Sequence, residues 1–246
     1  MNNNGKIYVV GIGPGDVEHL TGKAIEVIKE SDVVIGYKTY INLIKGLLVG
    51  KEVYSLGMKK EILRCQISLD HASDGKKVAL ISSGDAGVYG MAGIMLQLKE
   101  QKNSNIPVEV IPGITAASAA ASILGAPLTH DFAVISLSDL LTDWDLIKKR
   151  IELAAMGDFV ICFYNPKSKA RSHQIEDAKE IIFKYRAAST PVGIVKNAKR
   201  KDEEVYVTDL EHMLDYPIDM VTVIVVGNSC SYAKDGFIIT PRGYSI

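Results

Sequence analysis

Cysteine is scarce in this 246-residue sequence, and the three present, Cys65, Cys162 and Cys230, stand far apart with no CxxC pair among them. That spacing argues against an iron–sulfur or zinc motif and against a disulfide framework. Long apolar runs are also missing: none approaches the ~20 residues that span a bilayer. The opening MNNNGK lacks the basic-then-apolar form of a secretory leader. Charge of one sign is not in excess, since 28 Lys and Arg face 29 Asp and Glu for a net charge of −1. Wholesale attraction to nucleic acid or to an anionic membrane is therefore not expected. These absences point to a protein of a reducing cytoplasm, with no nucleic-acid or membrane partner and no metal site of its own. What the sequence does have is 47% hydrophobic residues against 23% charged, enough for a sizeable core, in a length that admits two domains of ordinary size.

Short β-branched runs alternate with longer segments of helical period, the pattern of parallel βα units. Strands are expected at residues 7–11, 32–35, 51–55, 77–82 and 108–111, then at 132–136, 159–163, 192–195, 204–208, 220–226 and 236–240. Thr21 is placed to cap a helix that buries Ala24, Ile25, Val27 and Ile28, and a helix over 87–101 carries Met91, Ile94, Met95 and Leu98 on one side. The last three strands follow one another with only a short helix over 210–214 between the first two, so the second sheet is expected to be mixed and the first mostly parallel. Pro112-Gly113 is a turn signal before a run of small residues. It marks the junction of two α/β domains, expected at 1–113 and 114–246.

Open α/β sheets bind ligands beyond the carboxyl ends of their strands. The expected strand ends here carry GIGPGD (11–16), SSGDAGVYG (82–90), PGITA (112–116), YNPKS (164–168), KNAKRK (196–201) and GNS (227–229). The first loop is not a dinucleotide fingerprint, because Asp16 stands where the third small residue belongs and its carboxylate opposes a pyrophosphate. Nor is it a Walker loop, since Val17 and Ala24 replace the required Gly and Ser or Thr. A nicotinamide dehydrogenase is disfavoured on that ground. The loops present main-chain amides and carbonyls rather than long side chains, which suits a compact, polar, neutral or zwitterionic ligand.

GIGPGD, GDAGVYG, IPGITAA and FYNPKS, in this order over nearly the whole chain, resemble the tetrapyrrole methylases. IGYKTYINLI (35–44), LGMKKEILRCQISLDHA (56–72) and GAPLTHDFAVISLSDLLTDW (125–144) resemble one branch of that family more closely, the precorrin-3B C17-methyltransferases of cobalamin synthesis. The resemblance implies two α/β domains with S-adenosylmethionine in the cleft between them, S-adenosylhomocysteine as product, a tetrapyrrole substrate and a homodimer. It implies methylation at C17 coupled to ring contraction, in which an acetate arm closes a lactone and a ring carbon is extruded. Carried over residue by residue, the cofactor contacts are Pro14, Ser83, Gly84, Asp85, Val88, Thr115, Ala116, Asn165 and Ala198, with Asp85 expected to pair with the cofactor's amino group. Asp16 borders the substrate side. Two positions depart from the wider family: Ala86 stands where many members have proline, and Tyr37 where uroporphyrinogen-methylating members have an aspartate proposed as a base.

Ring contraction moves protons, so an acid or base is expected near the macrocycle. His130 in LTHDF leads the candidates, with Tyr37 and Glu61 behind it. A local hydrogen bond is the competing role for His130, and a helix-surface ion pair with Arg64 is the competing role for Glu61. Substrate carboxylates need cations, and Lys59, Arg64, Lys167, Lys169 and Arg171 are the expected set. The Lys148, Lys149 and Arg150 run reads instead as a solvated helix face. A sister methyltransferase acting on another ring carbon, or a non-catalytic tetrapyrrole or cofactor sensor, are the alternatives.

Overall fold

The computed structural model describes residues 5–168 and 171–245. It divides into two compact units, residues 1–116 and 117–246. In the first unit the order is β1 (Lys6–Gly11), α1 (Gly22–Glu30), β2 (Val33–Tyr37), α2 (Lys38–Leu43), β3 (Glu52–Leu56), α3 (Glu61–Ser73), β4 (Lys77–Ser82), α4 (Met91–Gln101) and β5 (Val108–Ile111). The five strands form one sheet in the order β3-β2-β4-β1-β5, and every pairing is parallel.

The continuous apolar run of β1 is what a strand covered on both faces requires. Ile7 and Val9 join a cluster with Cys65 and Leu69 of α3 and Met91 and Met95 of α4. Tyr8 and Val10 join a second cluster with Ala24, Val27 and Ile28 of α1. Thr21 caps α1 as expected, its Oγ1 accepting from the Ala24 amide at 3.1 Å. The chain thus leaves β1 toward one face and β4 toward the other. Chain leaving adjacent strands toward opposite faces is the arrangement that defines a crevice at a sheet's carboxyl edge.

The second unit comprises α5 (Ala116–Leu124), β6 (Gly125–Ala126), β7 (Phe132–Ser136), α6 (Trp144–Met156), β8 (Val160–Tyr164), α7 (Gln174–Phe183), β9 (Pro191–Lys196), β10 (Glu204–Asp209), β11 (Thr222–Val226), β12 (Tyr232–Lys234) and β13 (Phe237–Ile239). Its main sheet runs β10-β9-β11-β8-β7. Only β7 and β8 pair in parallel, while β11 runs antiparallel to both neighbours, so the sheet is mixed as its closely spaced strands suggest. Ile161 and Phe163 of β8 pack with Ile147 and Ile151 of α6 and Ile175 and Ile182 of α7. On β9, a side-chain carbon at Gly193 would lie 2.3 Å from Leu124 Cδ1, so α5 packs directly on that strand.

Two expectations need correcting here. Residues 210–214 form a turn rather than a helix, because the Asp209 carboxylate takes the His212 amide at 2.9 Å and closes the chain on itself. The strand near 236–240 belongs not to the main sheet but to a three-stranded one, β12-β13-β6, where it forms a hairpin with β12.

Candidate functional site

Three glycine-bearing loops meet at the carboxyl edge of the first sheet. Gly13 and Gly84 exchange both backbone hydrogen bonds, at 3.0 and 2.8 Å, an antiparallel bridge just past the parallel β1–β4 pairing. Gly11 is packed so tightly that a side-chain carbon there would lie 2.8 Å from both the Gly113 nitrogen and the Gly84 oxygen. At Gly113 the same carbon would meet the Gly84 oxygen at 2.3 Å. Backbone touches backbone, with no side chain available to yield. Gly84 differs: its φ of +63° needs glycine, but nothing lies closer than 3.9 Å to the missing side chain, so this flank is open to a ligand.

Asp85 is the side chain that ties the loops together. Its Oδ1 accepts the Gly87 amide at 2.7 Å and its Oδ2 accepts the Gly113 amide at 3.0 Å. One carboxylate therefore spans the β4 and β5 loops, and both its oxygens serve the fold. Ser83 and Gly84 are half-buried beside it and Val88 is 37% exposed at the loop's crest. Pro14 is buried in the β1 loop. Asp16 is exposed and caps a 3-10 turn over Val17–His19, its Oδ1 accepting the Glu18 amide at 3.2 Å. Thr115 directly precedes α5 and Ala116 opens it.

In the second unit the carboxyl ends of β7, β8 and β9 share an edge with the start of β11, whose direction is reversed. Asn165 adopts a φ of +51° and donates to Ser136 Oγ at 2.9 Å. The Tyr164 hydroxyl accepts the Ala117 amide at 2.6 Å, holding the first turn of α5. Ala198 sits in a turn flanked by Asn197 and Lys199, both with positive φ. Arg171 is 6% exposed and joins these loops: its Nη1 donates to the carbonyls of Leu137 (2.8 Å) and Asn165 (3.2 Å), and its Nε lies 3.7 Å from Asp139 Oδ1. Ser136, Leu137 and Asp139 lie within the quoted stretch 125–144 but are not among the expected site residues, and Met220 carries no motif by which the sequence alone singles it out.

The expected cations thus have different positions. Arg171 is engaged with the fold. Arg64, 4% exposed, donates to the Gly57 carbonyl at 3.0 Å and to Glu61 Oε1 at 2.8 Å, so the Glu61–Arg64 pair at i, i+3 fastens the loop before α3. Lys59 is exposed with a φ of +58°, after β3. Lys167 follows Asn165 in the β8 loop, and Lys169 lies outside the described residues. Lys196 is held charged by hydrogen bonds to Glu204 and Asp219, which raise its pKa. Lys148 pairs with Asp145 at 2.7 Å on an exposed helix face, as the solvated reading expects.

The candidate acid–base groups also separate. His130 precedes β7, whereas Ser136 ends it, so about 16 Å of strand lies between them. His130 Nδ1 accepts the amide of Asp131 at 2.9 Å and the ring stays half-exposed. The antiparallel β11 carries the GNS loop to this same amino edge, where Ser229 binds Asp158 at 2.7 Å. The structure brings neither His130 nor residues 227–229 to the edge that holds Asn165. Tyr37 ends β2 at the crevice edge of the first sheet, stacked edge-on with Tyr40 at 5.1 Å. Burial pushes the Cys65 and Cys162 thiols up to about 12, while Cys230 is exposed beside Ser229 at the amino edge. Among the described residues no group of three His, Cys, Asp or Glu is arranged to hold a metal.

This chain belongs to the Tetrapyrrole (Corrin/Porphyrin) Methylases, whose family profile matches residues 6–214. It is 53% identical over 98% of its length to a cobalt-factor III methyltransferase of Priestia megaterium, of which it spans 45%. It is 50% identical over 98% of its length to a probable cobalt-factor III C(17)-methyltransferase of Salmonella typhimurium, of which the alignment covers 100%. Among solved structures, the methyltransferase CobJ superposes with a TM-score of 0.90 at 32% identity, covering 96% of this chain and 100% of that one. A uroporphyrin-III C-methyltransferase from Thermus thermophilus, complexed with S-adenosylhomocysteine, superposes at 0.68 and 26% identity, covering 91% and 92%.

Two substitutions test the loop architecture. Gly113→Ala places a carbon 2.3 Å from a backbone oxygen, and overpacking of this kind costs about 1–3 kcal/mol. Gly93→Ala within α4, with nothing within 4 Å, should instead stabilise by about 0.4–1 kcal/mol; urea denaturation should show opposite signs. Asp85→Ala leaves the part-buried Gly113 amide without its acceptor and should cost about 1–3 kcal/mol, whereas water can take the exposed Gly87 amide. Asp85→Asn keeps one acceptor oxygen for the Gly113 amide and should lose less by the same measurement.

Proposed function

We infer that this chain transfers the methyl group of S-adenosylmethionine to C17 of a precorrin-3B or cobalt-factor III macrocycle in cobalamin synthesis. The observation that carries this is the end-to-end match, at 50% identity, with a relative bearing the C(17)-methyltransferase name. When bound, the sulfonium cofactor supplies an electrophilic methyl that an electron-rich macrocycle carbon can attack directly. The protein's work is then alignment, and holding reactants at near-attack distance can contribute about 7–11 kcal/mol.

The loops fit such a cofactor. The open flank of Gly84 and the half-buried residues 83–85 offer main-chain donors and acceptors at close range, and a zwitterionic ligand needs these more than it needs charge. The proposed contacts are Pro14, Ser83, Gly84, Val88, Thr115 and Ala116, with Asn165 and Ala198 from the second unit. Asp85 serves them through the Gly87 and Gly113 amides, and its remaining lone pairs can face the cofactor's amino group. Lys59 and Lys167 are the proposed substrate cations.

Methyl transfer is coupled, in this reading, to ring contraction. Among the three acid–base candidates we place Tyr37 first, because it ends β2 at the carboxyl edge and its hydroxyl makes no hydrogen bond among the described residues. The Glu61 carboxylate already holds Arg64, and the Nδ1 of His130 is engaged at the amino edge. The protein acts in the cytoplasm as a homodimer, and apolar side chains left bare, such as Ile62 at 68% and Leu141 at 99% exposure, are surfaces a second copy could cover. No helix among the described residues is long and apolar enough to cross a membrane.

The test is incubation with S-adenosylmethionine and either the metal-free or the cobalt-bearing macrocycle, followed by product mass and absorption spectrum. A product one methyl heavier with a contracted-ring spectrum is expected. Tyr37→Phe should transfer methyl but slow contraction by about 10²–10⁴-fold, while His130→Ala should yield the contracted product at the unaltered rate. The reverse outcome returns the proton-transfer role to His130. Absence of any methylated product overturns the assignment.

A further inference from the structure

Beyond the end of β8 the second unit holds a pocket of about 450 Å³ lined by Lys167, Ser168, Ile218, Asp219, Met220 and Val221. That volume lies in the range of small-ligand sites. One wall continues from the Asn165 loop and the other is the lead-in to β11. Both are fastened to the same buried arginine: Ser168 and Arg171 exchange backbone hydrogen bonds at 2.8 and 3.2 Å, and Met220 Sδ lies 3.4 Å from Arg171 Nη2. The Val221 carbonyl also accepts the Asn197 amide at 3.2 Å, which joins this wall to the turn bearing Ala198. The pocket is therefore set by the framework of the strand ends.

Its chemistry is asymmetric. Asp219 is already satisfied: Oδ1 accepts from the Val221 amide and from Thr222 Oγ1, both at 3.0 Å, and Oδ2 lies 3.4 Å from Lys196 Nζ. Met220 and Val221 are 41% and 45% exposed and present apolar surface. The Lys167 ammonium has no ion-pair partner among the described residues. A largely apolar pocket whose lining holds one cation with no ion-pair partner among the described residues complements a carboxylate on a short methylene arm.

We propose that this pocket receives one carboxylate-bearing arm of the macrocycle, with Lys167 Nζ pairing the carboxylate and Met220 and Val221 packing on its methylenes. The proposal rests on the reading above that the substrate is a polycarboxylate tetrapyrrole. It assigns the pocket to substrate and not to the methyl donor.

Uroporphyrin III, a tetrapyrrole carrying only carboxylate arms, serves as the probe. Its affinity is measured by fluorescence in the presence of S-adenosylhomocysteine, and the affinity of S-adenosylhomocysteine alone by calorimetry. Losing a hydrogen bond to a charged group should weaken porphyrin binding about tenfold in Lys167→Gln, and should flatten its salt dependence. Val221→Glu, at an exposed position where the fold does not depend on the side chain, should weaken it through like-charge repulsion. Both variants should keep the wild-type affinity for S-adenosylhomocysteine. Unchanged porphyrin affinity in both folded variants overturns the pocket assignment, as does an equal loss of S-adenosylhomocysteine binding. Failure of the wild-type protein to bind S-adenosylhomocysteine at all would instead overturn the methyltransferase reading on which the proposal rests.

Discussion

Close backbone contact among three loops is the constraint on which the first unit depends. Gly11, Gly84 and Gly113 come from strands that are far apart in sequence yet adjacent in the sheet, and they approach until peptide groups touch. Such an approach removes side chains from the place where the loops after β1, β4 and β5 meet. What is left facing outward is amide and carbonyl, which explains how a site can recognise a polar ligand with few charged side chains. Asp85 completes it by accepting the two amides that the turn geometry leaves without partners. A charge placed there is a structural necessity first, because an unsatisfied half-buried amide is costly.

The second unit reaches a similar end by different means. Its strand-end loops lack the glycine packing of the first unit, and Arg171 fastens two of them with a fork of donors. A planar guanidinium suits the task, since it can hold two carbonyls and a carboxylate in fixed directions, as an ammonium cannot. Its burial is tolerable because Asp139 lies near and carbonyl oxygens take the remaining charge density. The reversed β11 then adds a strand start to an edge otherwise made of strand ends. That single reversal is why Lys167 and Val221 face one pocket.

Much of this was legible in the chain. The apolar runs of β1, β4 and β8 and the cap at Thr21 depend on neighbouring residues, and patterns of period two and 3.6 report them. The strand-end motifs marked the edge of each sheet. Three things were not legible, and each depends on pairing partners distant in sequence. Strand direction decides which edge a loop joins, so residues 227–229 fell at the amino edge. His130 follows the same rule, its place being set by the parallel pairing of β7 with β8. A buried arginine looks like a surface arginine in sequence, and only the carbonyls of Leu137 and Asn165 give Arg171 its role. Asp85 was recognisable as important, but the amides it holds are 2 and 28 residues away, and only the first is visible locally.

The position of β1 has a consequence for the order of events in folding. It is the first strand of its unit in chain order and lies between β4 and β5, pairing Lys6 with Lys77 and Ile7 with Val108. Both its edges must wait for chain made some 70 to 100 residues later, and the face bearing Ile7 and Val9 must wait for α3 and α4; only the Tyr8 and Val10 face is covered early, by α1. Loops of that length must close before any native pairing rewards them, which slows parallel sheets in general. During synthesis the run Ile7 to Val10 is therefore an unpaired, wholly apolar strand, the kind of segment that invites wrong partners. The arrangement that makes the glycine crest possible also makes the nascent first unit dependent on protection until residue 111 has emerged.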